Sequence, residues 1–308
     1  MAAFTPIFAV IGPTASGKSA LALDVAIRAN AEILSVDSMQ VYRQMNVGTA
    51  KPTPAEQART KHHLIDIVDP NERFAVSRFV DLATEVIRDA QRRGVPLVAA
   101  GGTPMYFKSL FEGIFEGPGA DADLRARLAT ETNELLHERL TRVDPVSASR
   151  IHTNDTRRII RALEVFELTG KAISSLQTDW STGRTRFDVL WVGLNWDRDA
   201  LNVRINARAK RMLAEGWLEE ARGLRERFGA LSPTAQEAAG YRFLFDHLDG
   251  RISLDDAVEQ IKISTRQLAR AQMKWFRRFQ NVSWLAGDGN FAENAARSVE
   301  LWRRPDKG

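Results

Sequence analysis

The chain has 308 residues, of which 44% are hydrophobic and 27% charged, and it contains no cysteine. This composition excludes disulfides, thiolate catalysis and thiolate metal sites, and no apolar run reaches the ~18 residues that would span a bilayer. Lys and Arg total 43 against 39 for Asp and Glu, a formal charge of +4 that is too small by itself to identify an anionic partner. Since the N-terminus has no basic segment ahead of its apolar stretch, we expect a cytoplasmic protein without a membrane segment.

Short apolar runs alternate with helical patterns through the N-terminal third of the chain. The pattern predicts helices over 19–29, 76–93 and 104–111. It predicts strands over 6–11, 32–36 and 96–100. Strands that alternate with helices favour a parallel sheet covered by helices on both faces, which is an α/β fold.

The pattern changes in the middle of the chain. From 122 to about 178 only helical patterns occur, over 124–140 and 156–169, and a strand-like run at 188–194 then resumes the α/β alternation. We therefore predict a helical insertion domain over 115–185 within an α/β core formed by 1–114 and 186–308. Two Arg-rich helical patterns follow, over 204–228 and 254–279.

A phosphate-binding loop follows the first strand. The segment matches G-x-x-x-x-G-K-[ST] between an apolar strand and a helix. Its residues are Gly12, Pro13, Thr14, Ala15, Ser16, Gly17, Lys18 and Ser19. Such a loop points backbone N–H groups at phosphate oxygens, while the lysine neutralises the outer phosphates and the hydroxyl ligates Mg²⁺. The motif predicts a P-loop NTPase-like core that binds a di- or triphosphate, but it does not specify the reaction.

Asp37 directly follows the second strand and is expected at the carboxyl edge of the sheet, on the side of the phosphate loop. Three roles fit this position. The carboxylate is a Mg²⁺ ligand, a general base aimed at an acceptor nucleophile, or the N-cap of a helix.

Two further segments have competing interpretations. Gly101-Gly102-Thr103 follows the third strand and either holds a leaving phosphate or forms a plain turn before a helix. His62 and His63 are adjacent, so their side chains point opposite ways on a strand, and we interpret them as structural rather than as metal ligands.

The order of these motifs resembles one enzyme family over nearly the whole chain, from about residue 8 to 279. The segments are GPTASGKS, SVDSMQVYRQMNVGTAKP, HHLIDIVDP, AGGTPMYFKSLFEG and RIHTNDTRRIIRALEVFELTGK. They resemble the tRNA dimethylallyltransferases, also called tRNA isopentenyltransferases. That resemblance implies transfer of a dimethylallyl group from dimethylallyl diphosphate to the exocyclic amine of the adenine 3′ of the anticodon, in a monomeric enzyme that uses Mg²⁺.

The resemblance also implies a role for particular residues. The loop from Thr14 to Ser19 would bind the diphosphate, with Mg²⁺ near Ser19. Asp37 would take the proton from the adenine amine, Thr103 would assist at the diphosphate, and Arg208 would lie near the reacting groups. The expected tRNA contacts are Asp37, Ser38, Met39, Gln40, Thr103, Arg125, Arg157, Arg158, Ile159, Ile160, Arg161, Glu237, Ala238, Ala239, Gly240, Tyr241 and Arg242.

Basic side chains are concentrated in two places. One is the start of the helical pattern at 156–169. The other is the C-terminal helical pattern, where Arg266, Arg270, Lys274 and Arg277 share a face and Leu268, Met273 and Phe276 are expected to form the apolar face. Two basic clusters beside one catalytic core suit a phosphate backbone held on two sides, although a solvated basic face is equally ordinary.

Two alternatives to a tRNA prenyltransferase share the same phosphate loop. One is a small-molecule kinase that uses ATP, and the other is a nucleotide-dependent switch or binding protein. A kinase needs ATP for phosphoryl transfer, whereas a prenyltransferase needs only the allylic diphosphate. A switch would keep its function when Asp37 is replaced by alanine.

Overall fold

A computed structural model describes residues 6–113, 117–176 and 185–303. The described part contains a six-stranded parallel sheet in the order β3-β2-β4-β1-β5-β6. Its strands are β1 (Ile7–Ile11), β2 (Glu32–Ser35), β3 (His62–His63), β4 (Leu97–Gly101), β5 (Val189–Asn195) and β6 (Val282–Ala286). The chain is therefore an α/β protein, as the alternation of patterns predicts.

Helices connect and cover the strands. In the first part of the chain they are α1 (Lys18–Ala29), α2 (Pro54–Arg59), α3 (Val76–Arg93) and α4 (Pro104–Glu112). In the middle they are α5 (Ala122–Leu128), α6 (Asn133–Val143), α7 (Pro145–Ala148), α8 (Thr156–Thr169) and α9 (Ile173–Leu176). In the last part they are α10 (Arg198–Ala214), α11 (Trp217–Phe228), α12 (Tyr241–Leu248), α13 (Leu254–Phe276) and α14 (Phe291–Arg303).

The sheet separates two layers of core. Successive residues of β1 point to opposite faces, and all five are buried. Ala9 and Ile11 pack with α3, α4 and the helices after β5, while Phe8 and Val10 pack with α1 and α14. Strands buried on both faces explain why the strand runs are continuously apolar.

The strand order places the loops that follow β1, β2 and β4 side by side at the carboxyl edge of the sheet. β1 lies between β4 and β5, with Ile11 beside Gly101 on one side and Gly193 on the other. The connection after β1 leads across β4 to β2, whereas the chain after β4 crosses to the opposite side of β1. Ligands bind at the carboxyl edge of such a sheet, near the point where the connections diverge.

The chain divides into two compact units, one comprising 1–111 and 185–308 and the other 112–184. The second unit is helical where it is described, from α5 to α9. Its core includes Leu128, Leu136, Leu140, Ile159 and Val165, which are fully buried.

Two predicted helices are wrong in extent because local chain geometry interrupts them. The pattern over 124–140 contains two helices, since Thr132 caps α6 through its hydroxyl, which accepts the N–H of Leu135. The pattern over 204–228 is broken at Gly216, whose φ of 95° lies in the left-handed region. Two elements were not predicted from the sequence. They are β6, which completes the sheet beside β5, and α14, which covers α1.

The two adjacent histidines have separate polar partners. His63 Nε2 lies 2.7 Å from Glu32 Oε2, and His62 Nδ1 lies 2.9 Å from the Thr60 carbonyl oxygen. Arg93 also binds Glu32, and Arg93 and His63 together lower the pKa of this carboxyl group to about 2. Both histidines thus belong to the β2–β3 edge of the sheet.

Within the described ranges, every helix is too short or too polar to cross a lipid bilayer. The same ranges contain no group of three or more His, Cys, Asp or Glu side chains that could hold a metal ion.

The close packing of β4 against β2 leaves no room for a side chain at Gly101. A Cβ added at Gly101 would lie 1.9 Å from the Val36 carbonyl oxygen, and a backbone atom cannot swing aside. We expect Gly101→Ala to lower the free energy of unfolding by about 3 kcal/mol, as measured by urea denaturation.

Gly223→Ala is the matched control. Gly223 lies inside α11, and a Cβ there meets nothing within 4 Å. This control should stabilise the protein by about 0.5–1 kcal/mol because alanine favours the helix. Equal free energies of unfolding for the two variants would contradict the packing argument.

Candidate active site

The phosphate loop lies between β1 and α1. Gly17 precedes α1 with φ 90°, and Ala15 has φ 63°, so both take left-handed conformations. Only glycine adopts this conformation without cost, and Ala15 is held there by its surroundings. The N-terminus of α1, with its unpaired N–H groups, opens onto the carboxyl edge of the sheet.

Side chains from distant segments fix the outside of this loop. Arg204 Nε donates to the Ala15 carbonyl oxygen at 2.9 Å, and Trp196 Nε1 donates to the Ser16 carbonyl oxygen at 3.0 Å. The Arg204 guanidinium also lies 4.5 Å from the centre of the Trp196 ring. On another side, the Thr14 N–H donates to Gln272 Oε1 at 2.8 Å. No local sequence pattern marks these three supporting side chains.

Three charged groups of the site influence one another. Burial and, to a smaller extent, the positive charge of Arg208 lower the pKa of Lys18 to about 8, and Asp37 opposes both effects. Burial likewise lowers the pKa of Arg208, against the attraction of Asp37. Two cations and one carboxylate therefore share this poorly solvated region. The surplus of positive charge suits a polyanionic ligand.

Asp37 lies just beyond β2, at the edge predicted for it. Its Oδ1 accepts the N–H of Met39 at 2.9 Å and that of Gln40 at 3.4 Å. Residues 37–40 form a turn rather than a helix, so the interpretation as a helix cap is wrong. Among the described residues, no group donates a hydrogen bond to Oδ2. One carboxylate oxygen is thus fixed, and the other remains available to a substrate.

The 101–103 turn connects the phosphate loop to the Asp37 segment. Thr103 Oγ1 accepts the N–H of Ser38 at 3.0 Å and lies 3.3 Å from Ser38 Oγ. A Cβ at Gly102 would lie 3.4 Å from Lys18 Nζ and 2.9 Å from Gln272 Nε2. Glycine at 102 therefore permits the lysine to approach the turn closely. The structure brings Lys18, Asp37 and Thr103 to one edge of the sheet.

A cavity of about 880 Å³ opens beside the phosphate loop. Lys18, Ser19, Arg204, Arg208 and Arg211 line one part of it, and residues between Asn46 and Gln57 line another. Asp66 and Glu215 also border the cavity. Basic side chains thus predominate next to the phosphate loop. A diphosphate with a short apolar tail is much smaller than this volume.

Glu220 holds the loop that forms the far wall of this cavity. Its carboxylate accepts the backbone N–H groups of Asn46 and Val47, both at 2.8 Å, and of Gly48 at 3.1 Å. It also accepts a hydrogen bond from the Tyr241 hydroxyl at 2.6 Å.

Tyr241 is fully buried and Ala238 nearly so, and neither side chain is available to a bound tRNA in this structure. Within the predicted contact segment 237–242, the side chains of Glu237 and Arg242 are exposed.

In the helical unit, two predicted tRNA-contacting arginines bind a buried glutamate. Glu164 is fully buried and accepts Arg125 Nε at 2.7 Å and Arg161 Nη1 at 2.5 Å. Ile159 is also fully buried in the core of this unit, so its side chain is not available to RNA. Arg157 and Arg158 are exposed at the start of α8.

The basic face predicted on the C-terminal helix is present on α13 and just after it. Arg270, Lys274 and Arg277 are exposed, and Arg266 is half-buried. The predicted apolar face is wrong at Leu268, which is 39% exposed. The prediction is confirmed at Phe276, which is fully buried. The buried face also carries Ala257, Ile261, Lys262, Ala269 and Gln272.

Comparisons with known proteins agree with this arrangement. A family model described as IPP transferase matches residues 40–279. The chain is 44% identical to a tRNA dimethylallyltransferase of Geobacter metallireducens, over 93% of this chain and 94% of the relative. It superposes with a TM-score of 0.72 on a tRNA isopentenylpyrophosphate transferase from Bacillus halodurans, at 37% identity and with 97% and 98% of the two chains covered. A eukaryotic dimethylallyltransferase acting on tRNA superposes with a TM-score of 0.83 at 27% identity, covering 98% of this chain and 81% of that one.

The lowered pKa of Lys18 predicts a pH dependence for anion binding. The ammonium group is present below a pH of about 8 and is lost above it, so affinity for Mg²⁺ and inorganic diphosphate should fall as the pH rises through that value. Calorimetric titration of the free protein between pH 6.5 and 9.5 measures this affinity.

Lys18→Met provides the reference because methionine does not titrate. The ratio of wild-type to Lys18→Met affinity cancels the titration of the ligand itself. This ratio should decline above a pH of about 8, and a ratio that stays constant with pH would contradict the assignment.

Proposed function

The chain belongs to the IPP transferase family, and on that premise we propose that it is a tRNA dimethylallyltransferase. It transfers a dimethylallyl group from dimethylallyl diphosphate to the exocyclic amine of the adenine 3′-adjacent to the anticodon, and it releases diphosphate. One observation carries this proposal. Lys18 of the phosphate loop and the Asp37 carboxylate, of which only Oδ1 is hydrogen-bonded among the described residues, lie at the same edge of the sheet.

Asp37 acts as the general base. The adenine amine is a weak nucleophile, and its nitrogen forms a bond to the allylic carbon while the bond from that carbon to the diphosphate oxygen breaks. Asp37 removes the proton that the nitrogen then carries. Its Oδ1 is held by two backbone N–H groups, and Oδ2 would accept the proton.

The phosphate loop and its neighbours stabilise the leaving diphosphate. Negative charge develops on the departing oxygen, and Lys18, Arg208 and the N-terminus of α1 oppose it with positive charge in a poorly solvated region. Thr103 holds the Ser38 backbone of the Asp37 turn, so that one hydroxyl joins the acceptor side to the diphosphate side. This arrangement suits a reaction in which the allylic carbon becomes cation-like between the departing diphosphate and the adenine amine.

Mg²⁺ is the expected cofactor, and the residues present fit it. Magnesium prefers oxygen ligands and often takes most of them from water and substrate phosphates. The Ser19 hydroxyl is exposed at the start of α1, beside the cavity, and would hold the ion. When bound, the ion neutralises charge on the diphosphate.

The tRNA is expected to contact exposed basic groups in both units. In the α/β unit these are Arg242 and the basic face of α13, together with the turn at 37–40. In the helical unit they are Arg157 and Arg158, with the outer edges of Arg125 and Arg161, which are 43% and 32% exposed. Because the target adenine must leave its stack, a single-stranded anticodon loop keeps the cost to a few kcal/mol. A monomeric state and a cytoplasmic location stay predictions.

The decisive experiment incubates the protein and Mg²⁺ with unmodified tRNA and labelled dimethylallyl diphosphate. We expect label on the adenine beside the anticodon. Asp37→Asn should lower kcat by about 10²–10⁴ because it removes the base while the turn can still form. Nuclease digestion and mass spectrometry of the nucleosides measure the product.

Two controls separate this function from its alternatives. Replacing the allylic diphosphate with ATP should give no transfer to RNA, whereas phosphoryl transfer from ATP would favour a kinase. An absence of label in the presence of Mg²⁺, or full activity of Asp37→Asn, would overturn the proposal.

Salt dependence tests the basic face of α13. If Arg270 binds a backbone phosphate, Arg270→Gln should reduce the slope of log Kd for tRNA against log salt by about one unit, because one counterion fewer is released. Filter binding at several salt concentrations measures this slope.

Arg28→Gln is the control for the loss of a positive charge. Arg28 lies on α1 and pairs with Asp24 at 2.5 Å, far along the chain from α13. The slope of log Kd against log salt for Arg28→Gln should match that of the wild type. A wild-type slope for Arg270→Gln as well would show that the α13 face is solvated surface.

A further inference from the structure

One buried amide side chain bridges the two loops that flank the diphosphate site. Gln272 lies on α13 and is 8% exposed. Its Oε1 accepts the N–H of Thr14 in the phosphate loop at 2.8 Å, and its Nε2 donates to the Gly102 carbonyl oxygen at 2.6 Å. Both bonds join groups far apart in sequence, with separations of 258 and 170 residues.

The two bonded loops follow neighbouring strands. Ile11 at the end of β1 lies beside Gly101 at the end of β4, so the loops leave the sheet side by side. One of them carries Lys18 and the other carries Thr103. The distance between the loops therefore determines how Lys18, which would bind the diphosphate, is placed relative to Thr103, whose hydroxyl holds the Asp37 turn.

The chemistry at this position suits an amide. One loop offers a donor and the other an acceptor, and the amide of a glutamine presents an acceptor oxygen and a donor nitrogen as separate atoms without a charge. Space is also limited, because a Cβ at Gly102 would lie 2.9 Å from Gln272 Nε2. A carboxylate there would lose the bond to Gly102 and would set a negative charge near the diphosphate site.

We propose that Gln272 is a positioning residue that locks the phosphate loop to the 101–103 turn and thereby raises affinity for the diphosphate. Without it, both loops gain freedom that binding must remove again, so the loss should appear as weaker diphosphate binding. The use of dimethylallyl diphosphate as the physiological ligand rests on the proposed function, whereas the effect on diphosphate binding does not.

The test replaces Gln272 with methionine, which keeps the length of the side chain but makes neither hydrogen bond. Calorimetric titration with Mg²⁺ and inorganic diphosphate should give a Kd about tenfold higher than that of the wild type. In transfer assays KM for dimethylallyl diphosphate should rise by a similar factor, while KM for tRNA stays unchanged. A purely structural defect would instead reduce the active fraction and leave both KM values as they are.

Gln260→Met is the matched control. Gln260 lies on the same helix but is exposed, and its Kd for inorganic diphosphate should equal that of the wild type. If Gln272→Met does not fold, Gln272→Asn decides, since its shorter amide reaches only one of the two partners and should give an intermediate Kd.

Wild-type diphosphate affinity in a folded Gln272→Met or Gln272→Asn protein would overturn the proposal. So would an equal rise of KM for tRNA. If the wild type transfers no dimethylallyl group while Gln272→Met still weakens binding of inorganic diphosphate, the proposed function fails and the positioning role stands.

Discussion

A loop that turns its amide groups toward a ligand leaves much of its own backbone without internal partners. The phosphate loop of this protein shows that constraint, because its Ala15 and Ser16 carbonyl groups and its Thr14 N–H all bind side chains from elsewhere. Those side chains come from the start of α10, the segment before it and α13. The left-handed conformation of Ala15 persists because these partners hold it. The second half of the chain therefore shapes a site whose motif lies entirely in the first.

Charge is organised around the same loop. Lys18 and Arg208 are brought together against their mutual repulsion, and Asp37 offsets part of that cost. A diphosphate would complete this balance, and its departure after transfer would restore the repulsion. The carboxylate thus has an electrostatic reason for its place in addition to its proposed role as a base.

Several residues that the family resemblance assigns to tRNA binding also support the structure of the protein. Tyr241 is buried and helps Glu220 to hold the loop at 46–48, and Arg125 and Arg161 share the buried Glu164. A buried carboxylate with several donors sets the direction in which its partners point. Arg157, Arg158 and Arg242 are exposed neighbours in these segments, and their contact with RNA stays a prediction.

The sequence by itself determined the fold class, the position of the phosphate loop and the placement of Asp37 at the end of a strand. These are local properties, since they depend on apolar periodicity, on glycines with unusual backbone conformations and on the direct succession of strand, loop and helix. The breaks within the patterns at 124–140 and 204–228 were missed because helical periodicity continues across a capping threonine or a single glycine. Only the tertiary structure decided that Gln272, Trp196 and Arg204 support the phosphate loop and that Tyr241 and Ile159 are buried. Their partners lie far away along the chain, and no local pattern records which distant backbone group a polar side chain will meet.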